Sequence, residues 1–272
     1  MSTVRTHIGR LAAIARRDLQ TEQTYHFRHA MRLLQIAITA GVVYYLSDLV
    51  VDPPQLAQYR GGYFEFAMIG LMVMSVASLG IGTFNANITR EQTLGTMEVL
   101  LATPTPLPVL LAGSFVFPLL LTAVDIVLYF TIGLGLLGTG LTVDGVLLSI
   151  PLLALTLATF CAFGVVGASI VVLAKRGDPL TGPLLQLTAI LSGALFPITV
   201  FPPVVELIAR AFPAYYGING LRDALLGSGG WRDVLPDLAV LVGFTLVLTP
   251  VSLWLFSRAV AAARRVGTLG NY

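Results

Sequence analysis

YFEFAMIGLMVMSVASLGIGTFNANI, residues 63–88, holds a single charged side chain, Glu65, in a run long enough to cross a lipid bilayer. A spanning helix needs about 20 mainly apolar residues. Five more stretches meet that requirement. They are Met31–Val51, closed by Asp52-Pro53-Pro54; a run from Pro108 to about Gly138; Gly145–Ala174; Pro179–Phe201; and Leu235–Phe256. The third and fourth runs in chain order exceed the minimum, so they are expected to tilt or to project beyond the hydrocarbon. The reading is an all-α membrane protein with six transmembrane helices.

Composition agrees. Of the 272 residues, 56% are hydrophobic and 11% are charged. A soluble domain carries roughly 25% charged residues, and this chain has too few to cover a wetted surface. The mean hydropathy is +0.85. The first apolar run begins near Met31. It is too long for a signal-peptide core and has no convincing cleavage site, so it is read as a span. Cys161 stands alone inside an apolar run, which excludes an intrachain disulfide and suggests a small packing residue.

Charge sets the orientation. With the N-terminus inside, segments 1–32, 89–107, 174–178 and 257–272 hold twelve of the sixteen Lys and Arg, and segments 52–62, 139–144 and 202–234 hold four. Cytoplasmic loops carry the excess of Lys and Arg, so both termini are expected in the cytoplasm of a multi-pass protein of the inner or plasma membrane. The whole of 1–272 reads as one domain: a cytoplasmic N-terminal segment 1–30, a six-span core 31–258 and a cytoplasmic tail 259–272. The basic start, with Arg5, Arg10, Arg16, Arg17, Arg28 and Arg32, is membrane-adjacent and amphipathic rather than a nucleic-acid patch. Val4, Ile8, Leu11, Ala15 and Leu19 form one apolar stripe at helical spacing. That suits an amphipathic helix lying in the inner interface; a helix docked on another subunit is the alternative.

Two segments fit no simple span. Residues 90–108, REQTLGTMEVLLATPTPLP, begin as a short cytoplasmic helix, and Pro104, Pro106 and Pro108 then stop it and stiffen the return. Residues 202–226, PPVVELIARAFPAYYGINGLRDALL, are too polar and too interrupted to span, yet too apolar for a free loop. Two short helices broken at Pro213 and dipping into the outer half of the bilayer satisfy both facts, provided their backbone is buried against protein or lines a cavity.

In these segments the chain resembles the membrane subunits of ABC transporters of the type-2 exporter class. Glu91, Gly95-Thr96-Met97-Glu98, Leu100-Leu101 and Pro104 are similar to that family's G-T-x-E-x-L-L-x-x-P stretch. Ser192-Gly193, Phe196-Pro197, Pro202-Pro203, Pro213, Tyr216 and Gly220-Leu221-Arg222 resemble its SG-x-x-FP … LP … P … Y-x-x-x-x-R signature, with Phe201 where Leu is more usual. The resemblance covers essentially the whole chain. It implies an N-terminal interface helix, six spans, a cytoplasmic coupling helix and an outer re-entrant helix pair. It implies Glu91, Gly95, Thr96, Glu98, Leu100, Leu101 and Pro104 as the coupling to a separate nucleotide-binding ATPase subunit. It implies Ser192, Gly193, Phe196, Pro197, Pro202, Pro203, Pro213, Tyr216 and Arg222 as the outer gate. The partners implied are that ATPase and a second permease copy, as a homodimer or a related heterodimer, in contact with membrane lipid.

A P-loop needs a Lys after a Gly-rich turn. The only Lys, Lys175, follows Leu173-Ala174 at a span boundary. The chain is therefore expected to be no enzyme and to need no cofactor of its own, with ATP and Mg bound by the partner ATPase. Lys175-Arg176-Gly177-Asp178-Pro179 reads as a tight inner turn. No Ser-His-Asp set, zinc spacing or dinucleotide loop is present, and His26 and His29 have no third ligand nearby in sequence. Gly133, Gly135, Gly138, Gly140, Gly164 and Gly167 suit close helix packing. Tyr44, Tyr45, Tyr59, Tyr63, Tyr215, Tyr216 and Trp231 suit an outer aromatic belt.

Glu65 and Asp125 fall in or near predicted spans, where a carboxylate facing lipid is costly. Glu65 is close enough to the outer end to reach the interface. Asp125 is deeper; it lines a path, bonds a neighbouring helix or carries a proton, and a buried structural contact is preferred. The expected function is the permease of an ATP-driven exporter of amphipathic or lipid-linked cargo such as a drug, lipid or glycoconjugate. The alternative is an ATP-independent secondary transporter or channel using Asp125 or Glu65; a membrane scaffold is a third.

Overall fold

The computed structural model describes residues 26–50, 62–95, 113, 115–132, 143–174, 178–227 and 230–265. Among these residues the chain is helical, with no strand. The helices are α1 (His26–Ser47), α2 (Tyr63–Thr93), α3 (Val116–Phe130), α4 (Val143–Ala174), α5 (Thr181–Leu191), α6 (Pro203–Arg210), α7 (Pro213–Leu225) and α8 (Trp231–Arg265), with a 3₁₀ turn at Ile198–Val200. The interface helix expected over 4–22 lies outside the described residues, as do Lys175-Arg176-Gly177 and Gly133 to Gly140.

Among the described residues, four helices are long and apolar enough to cross a membrane: Ala30–Ser47, Tyr63–Thr93, Asp144–Ala174 and Trp231–Ala263. At 1.5 Å per residue, α2 is about 46 Å long and outruns a hydrocarbon core of about 30 Å. Two predicted spans are not seen as single long helices among the described residues. The third appears as the 15 residues of α3, with undescribed residues close to both ends. The fifth, Pro179–Phe201, is not one helix. It is α5, of 11 residues, then a turn at Ser192-Gly193 and the 3₁₀ turn. Gly193 has φ +71, a left-handed conformation that halts a helix and that only glycine adopts without cost.

α2 and α4 form the centre. Their backbones nearly touch: a Cβ on Gly164 would meet the Gly80 carbonyl oxygen at 2.1 Å, and one on Gly80 would meet Phe160 Cβ at 2.6 Å. Small residues permit this approach, which gains van der Waals contact where lipid supplies no hydrophobic drive between helices. α8 packs along α4, with Thr159 and Thr245 sharing a 2.9 Å hydroxyl bond. α1, α3 and α5 pack on α2, and α7 fills the angle between α4 and α8.

One apolar cluster joins α1, α2, α4, α7 and α8 through Ile36, Met68, Met72, Leu148, Ile218, Leu221 and Leu241. A second, at the other end of the bundle, joins Phe84, Val165, Val172, Phe256 and Val260. Large apolar side chains also cover the outside, among them Ile38, Val127, Ile150, Leu246 and Val247. Apolar surface on both sides of a helix is the pattern of a bilayer protein.

Candidate functional site

The segment before α8 builds the first site. Pro203 and Pro213 each occupy the first position of their helix, α6 and α7, where the missing N–H costs nothing and the fixed φ is already helical. The chain breaks between them at Ala211-Phe212. α7 then turns Arg222 inward. Arg222 is only 4% exposed. Its Nη2 donates to the carbonyl oxygens of Phe66, at 3.0 Å, and Ala194, at 2.9 Å, while Nε donates to Phe66 O at 3.3 Å. Its Cζ sits 3.3 Å above the Phe66 ring. The Gly193 turn places Ala194 here, against Gly70 of α2.

Ser192, Gly193 and Arg222 are therefore brought together with α2. Phe196 is exposed and stacks edge-on with Phe201, at 5.3 Å between ring centres. Pro197 and Pro202 flank the 3₁₀ turn and α6 in extended conformations. Tyr216 packs into the larger apolar cluster and stands edge-on to Tyr215. On the exposed side of α6, Glu206 and Arg210 pair at 2.6 Å.

Beside Arg222 lies a carboxylate pair. Asn219 Nδ2 donates to Asp223 Oδ2 at 3.1 Å and to Asp237 Oδ2, on α8, at 2.8 Å. Burial pushes the Asp223 carboxyl up to about 6, helped by the charges of Asp237 and Asp233 and opposed by Arg222 and by the Asn219 bond.

The second site joins α1 to α3. Arg32 forks onto Asp125: Nε donates to Oδ1 at 2.8 Å and to Oδ2 at 3.0 Å, and Nη2 donates to Oδ2. The Arg32 side chain is 35% exposed and that of Asp125 is 7% exposed. The pair lies in a cavity of about 640 Å³ bounded by α1, α2, α3 and the start of α5. Thr39, Ser75, Ser78, Thr83, Asn87 and Thr122 give it a polar wall. At its foot, Asp178 Oδ1 accepts the backbone N–H of Leu180 and Thr181, and Asn85 Nδ2 donates to Thr181 Oγ1 at 2.7 Å.

Glu65 has a local explanation. Its carboxylate accepts the Gly62 N–H at 2.8 Å, closing the first turn of α2. An acid there also complements the positive end of the helix dipole.

The coupling stretch is described only as far as Gly95. Glu91 belongs to the last turn of α2 and not to a separate helix. Gln92 Nε2 donates to Val171 O at 3.2 Å, tying that turn to α4. Gly95 adopts φ +68 with nothing within 4 Å of where a Cβ would stand. Among the described residues its freedom serves the turn, not a close approach. Thr96, Glu98, Leu100, Leu101 and Pro104 lie outside the described residues.

Sequence reasoning missed Arg32 as a partner, and it missed Phe66, Ala194, Asn219 and Asp237. An intramembrane carboxylate calls for an opposite charge, but the sequence places Arg32 at the inner boundary and Asp125 deeper, so nothing in it joined the two. The two carbonyls that hold Arg222 have no side-chain signal. No group of three or more His, Cys, Asp or Glu suited to a metal ion occurs among the described residues.

No curated protein matches the chain. The family model for the ABC-2 type transporter matches residues 11–226, from the basic N-terminal segment to the end of α7. Apolar helices of spanning length accord with that match. The chain belongs to the ABC-2 type transporter family and is the membrane-spanning permease component of an ABC transporter.

Proposed function

We propose that the chain is the permease of an ATP-driven exporter that works as a dimer on two separate ATPase subunits. The family match over 11–226 is the observation that carries this reading. In it, α3 and α5 complete their crossings with adjoining residues, giving six spans with both termini cytoplasmic, in line with twelve of the sixteen basic residues falling on that side. ATP binding closes the ATPases, the stretch from Glu91 to Pro104 receives the motion, and α2 carries it inward. Two features suit α2 to that task. Its length takes it past the hydrocarbon, and Gln92 locks its end to α4. The pair α6–α7 helps seal the exit, held by Arg222.

The cargo in this reading is amphipathic or lipid-linked, because the path would run between apolar helices rather than charged ones. A secondary transporter would need a carboxylate free to bind and release an ion. Asp125 is engaged by Arg32 and Glu65 caps α2, which weighs against it.

The test is Glu98→Arg in the complex with its ATPase. Membrane insertion should persist, while ATP-dependent transport should fall and ATP hydrolysis should become uncoupled from it. Unchanged transport would remove the coupling assignment.

A further inference from the structure

The cavity between α1, α2 and α3 belongs to neither the coupling stretch nor the outer pair. The geometry points to a binding site there for the uncharged, hydroxyl-rich headgroup of an amphipath. At about 640 Å³ the cavity is of ligand-site size. Its wall is unusual for a membrane bundle. Ser78 and Gln35 are exposed, Thr83 is half-buried, and the Arg32–Asp125 fork stands among them. Polar side chains in a span are costly unless they meet partners, and here they converge on one space.

The charge balance selects the ligand. Arg32 is matched by Asp125 in a two-point contact, and the Asp178 carboxylate is taken up by backbone N–H groups. An anionic headgroup would face the Asp178 carboxylate with no unpaired cation among the described lining residues, and a quaternary ammonium would offer no hydrogen bond to the hydroxyls. A hydroxyl group both donates and accepts, as do the Ser and Thr hydroxyls and the Gln35 amide around it. Sugar and glycerol heads share this chemistry. An alkyl tail would leave between α1 and α3, which flank α2 and are bridged by the ion pair, into lipid beside exposed Leu34, Ile38, Leu120 and Val124. The inference rests on the exporter reading only for the role of the amphipath as cargo.

The experiment uses the full chain with its ATPase in phosphatidylcholine vesicles. The probe is a photoreactive octyl glucoside, and labelled peptides are mapped. Photoreactive alkyl sulfate and alkyl trimethylammonium of equal chain length serve as controls. The glucoside should label α1–α3 selectively. Excess octyl glucoside or a monoacylglycerol should compete, and the better competitor distinguishes a sugar head from a glycerol head. Ser78→Leu with Thr83→Leu leaves the ion pair in place and should weaken competition by roughly tenfold, the loss expected for two hydrogen bonds. Equal labelling by all three probes, or labelling elsewhere, would overturn the site, and no labelling would make the cavity a water-filled space only. Glu98→Arg, assayed in parallel for coupling, keeps a failure here distinct from a failure of the exporter reading.

Discussion

Arg222 lies over the ring of Phe66 while donating to the carbonyl oxygen of that same residue, at 3.0 Å and 3.3 Å. One side chain of the short helix α7 thus grips both the face and the backbone of α2. Its Nη2 also reaches Ala194, beyond the turn that ends α5. Three elements distant in sequence are fastened by a planar, multidentate cation that no other residue type reproduces.

Removing that cation should loosen all three. Arg222→Ala is expected to cost about 3 kcal/mol, since charge-assisted bonds contribute about 1.5–3 kcal/mol and the ring contact adds to them. Thermal unfolding in detergent measures the loss. Arg222→Lys should recover less than half, because an ammonium cannot lie flat on Phe66 and reach both carbonyls. Full recovery by Lys would show that charge alone matters.

The Arg32–Asp125 pair should show coupling in a double-mutant cycle. Asp125→Asn and Arg32→Gln are each expected to lower stability, and the double variant should lose less than the sum. A coupling of about 1–2 kcal/mol is expected, modest because Arg32 is partly exposed. Additive losses would mean that the contact carries no net stability.

Close packing of α2 on α4 makes Gly164 intolerant of one methyl group. Gly164→Ala places carbon against the Gly80 carbonyl and should destabilise by about 1–3 kcal/mol, the cost of overpacking. Gly41, with open space around it on α1, is the control. Gly41→Ala should leave the unfolding midpoint nearly unchanged. A neutral Gly164→Ala would place the two helices farther apart than described.

Acid should tighten the junction of α7 with α8. The raised Asp223 carboxyl means that its ionised form is disfavoured in the folded protein. Stability is therefore lower above about pH 6 and rises as pH falls through that value, levelling off near the ordinary carboxylate value of about 3.9. Arg222 of α7 and Asp233 and Asp237 of α8 are the charges that face it. Asp223→Asn should raise the unfolding temperature at neutral pH and flatten its rise toward pH 4. An equally steep profile in the variant would assign the effect to another group.

Membrane residence, the helical class and most span positions were legible in the sequence because each depends on local composition. A bilayer demands about 20 apolar residues wherever a helix crosses, so 63–88, 145–174 and 235–256 declared themselves and were found within α2, α4 and α8. Pro203 and Pro213 likewise announced two short helices, because the ring fixes φ and removes a donor. The fifth run shows the limit of that signal: hydropathy cannot register that Gly193 turns left-handed and ends α5 after 11 residues. What only the tertiary structure decided is the pairing. Asp125 stood alone until α1 was laid against α2 and brought Arg32 beside it, 93 positions away. The anchorage of Arg222 could not be read at all. Its acceptors are the main-chain oxygens of Phe66 and Ala194, a group every residue carries, and only the folded path of the chain places these two where a guanidinium can reach them.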